Sequence, residues 1–414
     1  MGDPIILAED YILYGSEIGV TRPNDNVIIE GCAGVGKTVS CLLPTVFAMK
    51  NNSAVMSLPK EGEAYKMARY LRAKGFHTEI LNLNDPLKST VGYDPMDHVR
   101  SGTDIESLTT AIVYSVICHT NDDYWSIKAK QLLGALMDAA KRCNPEAGFQ
   151  KVFDLFDKLN VQNEGNGIFT ILDDFFERVA ANAPDCYAVR EYNSFKMLPY
   201  KTAVCVRDTL SGVLNAMFPE DIRVMMQNKK KIEFESLAKE KSVLILVSSS
   251  SEAWQKYYTN LFFGTCIRSL LKYADCCPEN RLPRPVRLLF DDFACSSRIE
   301  GFESKLSLFR SAGLSAVIML QSQSQLESIY GHEKAAIIRQ NCPVHLFFPG
   351  GLDERSAELV SKKMNLDFED VLYAPLGDCF IMQSGKKPVV CARYNTLKSK
   401  EYRKYLKIVN ETVN

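Results

Sequence analysis

Val27-Ile28-Ile29-Glu30-Gly31-Cys32-Ala33-Gly34-Val35-Gly36-Lys37-Thr38-Val39 is the stretch from which the fold is read. A short apolar strand runs into G-x-x-x-x-G-K-T, and a helix follows from Val39. Gly31, Gly34 and Gly36 let the loop curl so that its N–H groups, through Val35 and on to Val39, face phosphate oxygens. The helix N-terminus adds partial positive charge at the same point. In such a loop Lys37 reaches the β- and γ-phosphates, and the Thr38 hydroxyl ligates magnesium. The expectation is a P-loop NTPase that takes ATP and Mg2+.

Working outward, short apolar, β-branched runs recur with helical stretches between them: Asn26–Glu30, Ser53–Leu58, Thr78–Leu83, Val243–Ser248, Arg287–Phe293, Ala316–Gln321, Val344–Phe348 and Cys379–Gln383. Apolar runs of this length alternating with helices predict an α/β fold with a mostly parallel sheet covered on both faces. Between about His98 and Gly212 the pattern changes. Thr103–His119, Trp125–Arg142, Phe149–Leu159 and Thr170–Ala181 carry apolar residues near a 3.6 period. They predict an all-α domain, 98–212, inserted between two parts of a nucleotide-binding domain, 1–97 and 213–414.

Two further strands end in polar residues where the ligands of a parallel sheet sit. Arg287-Leu288-Leu289-Phe290 is followed by Asp291-Asp292, a Walker B pattern in which Asp291 would hold the metal through water and Asp292 would polarise the attacking water. A capping Asp after a buried strand is the plainer alternative. Ala316–Leu320 leads to Gln321, either a sensor of the γ-phosphate or the start of a helix cap.

Composition excludes other classes. Lys plus Arg is 49 against 50 for Asp plus Glu, so no global basic field exists for nucleic acid. Lys229-Lys230-Lys231 reads as a solvated turn. Thirteen cysteines are scattered, several in apolar runs (Cys41, Cys118, Cys205, Cys266, Cys379), with no zinc spacing. They read as reduced, buried small hydrophobes of a cytosolic chain. Met1-Gly2-Asp3-Pro4 opens no signal peptide, and no uncharged run reaches the ~20 residues of a membrane span.

Taken together, collinear segments resemble the TraG/VirD-type coupling proteins of type IV secretion and conjugation, relatives of the FtsK-like DNA-pumping ATPases. They are Gly31–Thr38, Leu288-Leu289-Phe290-Asp291-Asp292-Phe293-Ala294, Phe309-Arg310-Ser311-Ala312-Gly313-Leu314, Leu320–Leu326, Asn341-Cys342 and Gly350-Gly351-Leu352-Asp353-Glu354. Fainter echoes are Asn82–Pro86, Tyr93-Asp94-Pro95, Asp123-Tyr124-Trp125 and Gly385-Lys386-Lys387-Pro388. The resemblance implies a RecA/FtsK-like domain with a helical insert, assembling as a hexameric ring. It implies DNA or relaxase–DNA cargo, partner components of a secretion channel, and a cytoplasmic position at the membrane through an anchor or a partner. It also implies that Arg310 reaches a neighbour's γ-phosphate and that Gln321 is the sensor. Read without the resemblance, Arg310 is a surface residue of an amphipathic helix.

Three departures stand out. Members usually carry N-terminal transmembrane helices, absent here, which reads as a trimmed chain or a soluble relative, one that is monomeric in solution. The second Walker B acid is Asp292 rather than Glu, which makes slow hydrolysis an expectation. The family's Asp-Pro-Lys-Gly-Glu becomes Leu58-Pro59-Lys60-Glu61-Gly62-Glu63. Two other readings stay open: a nucleotide-gated receptor with little turnover, and an FtsK-like translocase, for whose winged helix the tail after Tyr394 is too short.

Overall fold

The computed structural model describes residues 2–14, 24–117, 124–165, 167–293, 298–351 and 353–410. Cys118, Asp123, Ala294 and Leu352, named above, lie outside them. The strands are β1 (Ile5–Ala8), β2 (Tyr11–Leu13), β3 (Val27–Glu30), β4 (Ser53–Leu58), β5 (His77–Asn82), β6 (Gln162–Glu164), β7 (Gly167–Phe169), β8 (Ser242–Val247), β9 (Val286–Phe290), β10 (Leu314–Leu320), β11 (Val344–Phe347), β12 (Asp378–Gln383) and β13 (Val389–Ala392). Nine of them form one sheet in the order β13-β12-β11-β3-β10-β9-β4-β8-β5. Every pairing from β11 to β5 is parallel, and β12 and β13 add an antiparallel edge.

The chain divides into two compact units, Met1–Asn84 with Glu233–Ser250 and Ile267–Asn414, and Asp85–Ile232 with Ser251–Cys266. The first contains the nine-stranded sheet. Its strands are short runs that hide both faces, β8 and β9 being buried at every residue. Register then fixes the site. Leu320 lies opposite Glu30, and Phe290 opposite Ile318, so the loops after β3, β9 and β10 leave along one edge of the sheet. Arg287, buried in β9, donates to the backbone oxygens of Asp3 and Pro4 and so pins the segment leading into β1.

The second unit is helical apart from the hairpin β6–β7. Its helices include Gly102–Val116, Tyr124–Cys143, Phe149–Lys158 and Asp173–Asn182. Phe149, Phe153 and Phe218 pack ring on ring at 4.6–5.6 Å. Asp94 caps the turn Pro95–His98 through Met96 N–H (2.9 Å) and accepts from Phe149 N–H (2.8 Å). A Cβ at Gly148 would fall 2.5 Å from the Asp94 carboxylate, so only glycine fits there.

Several sequence expectations need correction. The strand expected over Arg287–Phe293 stops at Phe290, because Asp292 takes a φ of +62° and leaves extended geometry. β1, β2 and β13 carry no alternating signal long enough to read, at three or four residues each. All eleven described cysteines are free, but Cys205, Cys143 and Cys276 are exposed rather than buried. Lys229 and Lys230 are exposed, whereas Lys231 is half-buried against Asp97 (3.6 Å). Among the described residues no helix is long and apolar enough to cross a membrane.

Glu30 ends β3, and burial raises its carboxyl to about 7, the charge of Asp353 adding to the effect and the Ser356 hydroxyl, at 3.2 Å, opposing it. A group raised in the folded state stabilises below its unfolded value, and that contribution is lost as pH climbs through the folded one. Glu30→Gln should therefore unfold at the parent's temperature near pH 4 and at a higher one at pH 8. The gap should open between about 4.5 and 7. Parallel melting curves across that range measure it; a constant gap would refute the buried, raised carboxyl.

Candidate functional site

The P-loop joins β3 to a helix whose first turn, Thr38–Leu42, is widened into a π-turn before Leu43–Ala48 continues it. Such turns concentrate at functional positions. Gly34 and Gly36 have φ of +82° and +93°, conformations that side chains resist. A Cβ on Gly31 would meet Phe348 at 2.9 Å. Lys37 is buried and folds back, donating to the Gly31 and Cys32 carbonyls, the latter at 3.1 Å.

Thr38 donates its hydroxyl to Asp291, 2.9 Å from Oδ1. Burial pushes the Asp291 carboxyl up to about 6, the charges of Asp292 and Glu63 adding to it while Thr38 and Lys37 act against it. Asp292, in its left-handed backbone, accepts from the Gln321 side-chain amide at 3.1 and 3.3 Å. A left-handed non-glycine residue costs of order 1–3 kcal/mol and tends to mark a functional position. Gln321 follows β10 and does not begin the helix, since Ser322 caps it by accepting from Gln325 N–H at 3.2 Å.

One cleft of about 590 Å³ collects Gly34, Gly36, Lys37, Thr38, Val39, Asp291, Asp292 and Gln321. Gly31 and Val35 are buried beneath it. Leu58 ends β4, and Glu63, on the next helix, Glu61–Ala73, also lines the cleft. Arg310 is not brought there. It is exposed on Phe309–Ala312, ahead of the N-terminal end of β10, whereas the P-loop lies at the C-terminal end. Seven residues of β10 separate the two by about 20 Å, beyond an arginine's reach.

Residues that sequence reasoning missed brace the loop from the chain's far end. Arg393, just after β13, donates to the backbone oxygens of Val35, Pro349 (3.0 Å) and Asp378 (3.0 Å), and lies 4.7 Å over the Phe348 ring. Thr396 donates to the Val39 carbonyl. The helix Lys400–Asn410 then lines the cleft with Tyr402, Tyr405, Leu406 and Val409. Their i, i+3, i+4, i+7 spacing was the available signal. Gly350 and Gly351 also close on the loop, since a Cβ on Gly351 would meet Cys32 at 2.8 Å.

Residues 14–365 match the sequence model of the family described as type IV secretory system, conjugative DNA transfer. Among solved structures, the bacterial conjugative coupling protein TrwBΔN70 in complex with sulphate superposes with a TM-score of 0.68 at 17% identity, covering 89% of this chain and 85% of that one. TrwB in complex with the ATP analogue ADPNP gives 0.63 at 15%, over 89% and 85%. VirB4 of Thermoanaerobacter pseudethanolicus gives 0.59 at 12%, over 98% and 99%. No curated protein sequence matches. At these identities the structural likeness fixes the fold: a large, mostly parallel P-loop sheet.

Arg393→Met keeps the stem and removes three charge-assisted bonds to backbone carbonyls. Such bonds are worth about 1.5–3 kcal/mol each in stability, so the variant should lose at least about 2 kcal/mol in denaturant unfolding. An unchanged midpoint would show that the P-loop holds its shape without this clamp.

Proposed function

The chain belongs to the type IV secretory system conjugative DNA transfer family, and on that premise we propose that it is a magnesium-dependent ATPase. It couples DNA, or relaxase-bound DNA, to a conjugative secretion channel at the cytoplasmic face of the membrane. The observation that carries this reading is the convergence of Lys37, Thr38, Asp291, Asp292 and Gln321 on one cleft beside the P-loop.

The residues fit a nucleotide and its metal. Asp291, Asp292 and Glu63 line the cleft, and the charges of Asp292 and Glu63 act on Asp291, an effect that a cation beside Asp291 would offset. Among the described residues no three His, Cys, Asp or Glu side chains form a metal cage. Magnesium in such a site takes phosphate and water for most of its ligands; Thr38 would supply a hydroxyl and Asp291 would hold the ion through water. When bound, the ion offsets charge on the phosphate oxygens. Lys37, now on two carbonyls, turns to the phosphates in their place. Asp292 holds the attacking water, and Gln321 fixes the carboxylate's direction through its amide. Arg310 serves a neighbouring subunit's cleft, so the active form is an oligomer, a hexameric ring in this reading.

A second reading, a nucleotide-gated receptor with little turnover, is favoured by Asp292. It is one methylene shorter than a glutamate and is already engaged by Gln321. Turnover measured with and without DNA separates the two.

In titrations with magnesium and ATP, Asp291→Asn should lose magnesium-dependent affinity by about tenfold or more, and Asp292→Asn should change it little. The reverse order would mean that the two acids are assigned the wrong way round.

A second outcome concerns assembly. An arginine supplied in trans is worth ~10³–10⁵ in rate in other P-loop enzymes. Neither Arg310→Ala nor Lys37→Ala chains should hydrolyse ATP alone, but a mixture should regain part of the activity. Specific activity that stays flat on dilution, with Arg310→Ala as fast as the parent, would sink the trans arrangement.

A further inference from the structure

The cleft has two chemically different ends. The P-loop, Lys37 and the acids make one; Leu42 and Leu43, from the helix after the P-loop, and Tyr402 and Leu406, from the last helix, make the other, with Lys66 and Asn410 also lining the cleft. Val39 and Leu43 are one helical turn apart, so a ligand leaving the P-loop past Val39 runs directly along that second end. The tail is tied to the same point, since Thr396 donates to the Val39 carbonyl. Ser399 then accepts from Tyr402 N–H at 3.1 Å, which sets the start of the helix Lys400–Asn410 beside the loop.

Tyr402 is held as a rigid ring. Its plane lies 26° from that of Tyr405, with centroids 5.9 Å apart. Tyr405 is itself buried against Phe47 at 5.4 Å and Tyr70 at 5.5 Å. An aromatic face backed by a fixed aromatic stack, at the apolar end of a phosphate cleft, fits a flat heteroaromatic ring. We propose that Tyr402 is the stacking platform for the base of the bound nucleoside triphosphate, with Leu43 and Leu406 closing the subsite. Tyr402 and Leu406 lie beyond residues 14–365, the segment matched to the family, whereas Leu42 and Leu43 lie within it. Stacking accepts any base, so the subsite by itself does not choose among nucleoside triphosphates.

The proposal rests on the P-loop reading above, and the test separates the two. The full chain is titrated by calorimetry with Mg-ATP and with Mg-tripolyphosphate, which lacks a base. Tyr402→Ala should weaken ATP about tenfold while tripolyphosphate stays within about twofold, and Tyr402→Phe should bind both like the parent. Tyr402→Leu, which keeps the volume without a π face, should show the same selective loss and serves if the alanine variant does not fold. ATP binding unchanged in Ala and Leu variants overturns the subsite. So does an equal loss of both ligands, which would make Tyr402 a prop for the P-loop. A parent that binds neither ligand overturns the P-loop reading instead.

Discussion

The hydrogen bond from the Thr38 hydroxyl to Asp291 is the constraint on which the site depends. It joins loops from β3 and β9, which are not neighbours: β10 runs between them. The two groups meet only because Val317 pairs with Val27 on one side and with Leu289 on the other. A slip of one residue in either pairing would turn the loop-bearing ends to opposite faces, since side chains alternate along a strand. Burial of β9 and β10 on both faces makes such a slip costly, so the hydrophobic core itself aligns a hydroxyl with a carboxylate.

That alignment brings Asp291 and Asp292 into one cleft with Glu63, which Lys60 approaches at 3.4 Å. Asp291 is pushed up to about 6 mainly by burial, and its acidic neighbours reinforce the shift. Gln321 contributes no charge of its own but directs Asp292, whose left-handed backbone already restricts it. The cationic partners are disposed differently. Lys37 is spent on carbonyls, and Arg310 is at the far end of β10. One chain thus holds the acids of the site together and keeps one candidate cation out of its own reach.

Much of this was legible in the sequence, for physical reasons that differ by segment. The parallel strands read clearly because a strand hidden on both faces must be a continuous apolar run, as Ser53–Leu58 is. The P-loop read clearly because its glycines and Lys37-Thr38 are set by local backbone needs. Asp291 and Asp292 were visible as acids after a strand, but the turn that separates their environments was not, because a positive φ at Asp leaves no mark on neighbouring residue types. Arg393 and Thr396 were invisible: each reaches the P-loop segment through a backbone carbonyl more than 350 positions earlier, Val35 and Val39, which presents no side chain to pair with in a sequence. Glu63 was obscured because Leu58-Pro59-Lys60-Glu61-Gly62-Glu63 offers two acids, and only the helix that starts at Glu61 shows which of them lines the cleft.

The bracing of the P-loop by Arg393 has a consequence for biosynthesis. β3 emerges early from the ribosome, yet its sheet partners are β10 and β11, and its loop is clamped by a side chain synthesised later still. Contacts of such sequence separation form slowly and together. A growing chain therefore carries the glycine loop as an open turn for most of its synthesis. The loop gains its folded shape only when the last strands and Arg393 arrive, so a partly made chain lacks the cradle that the whole chain presents.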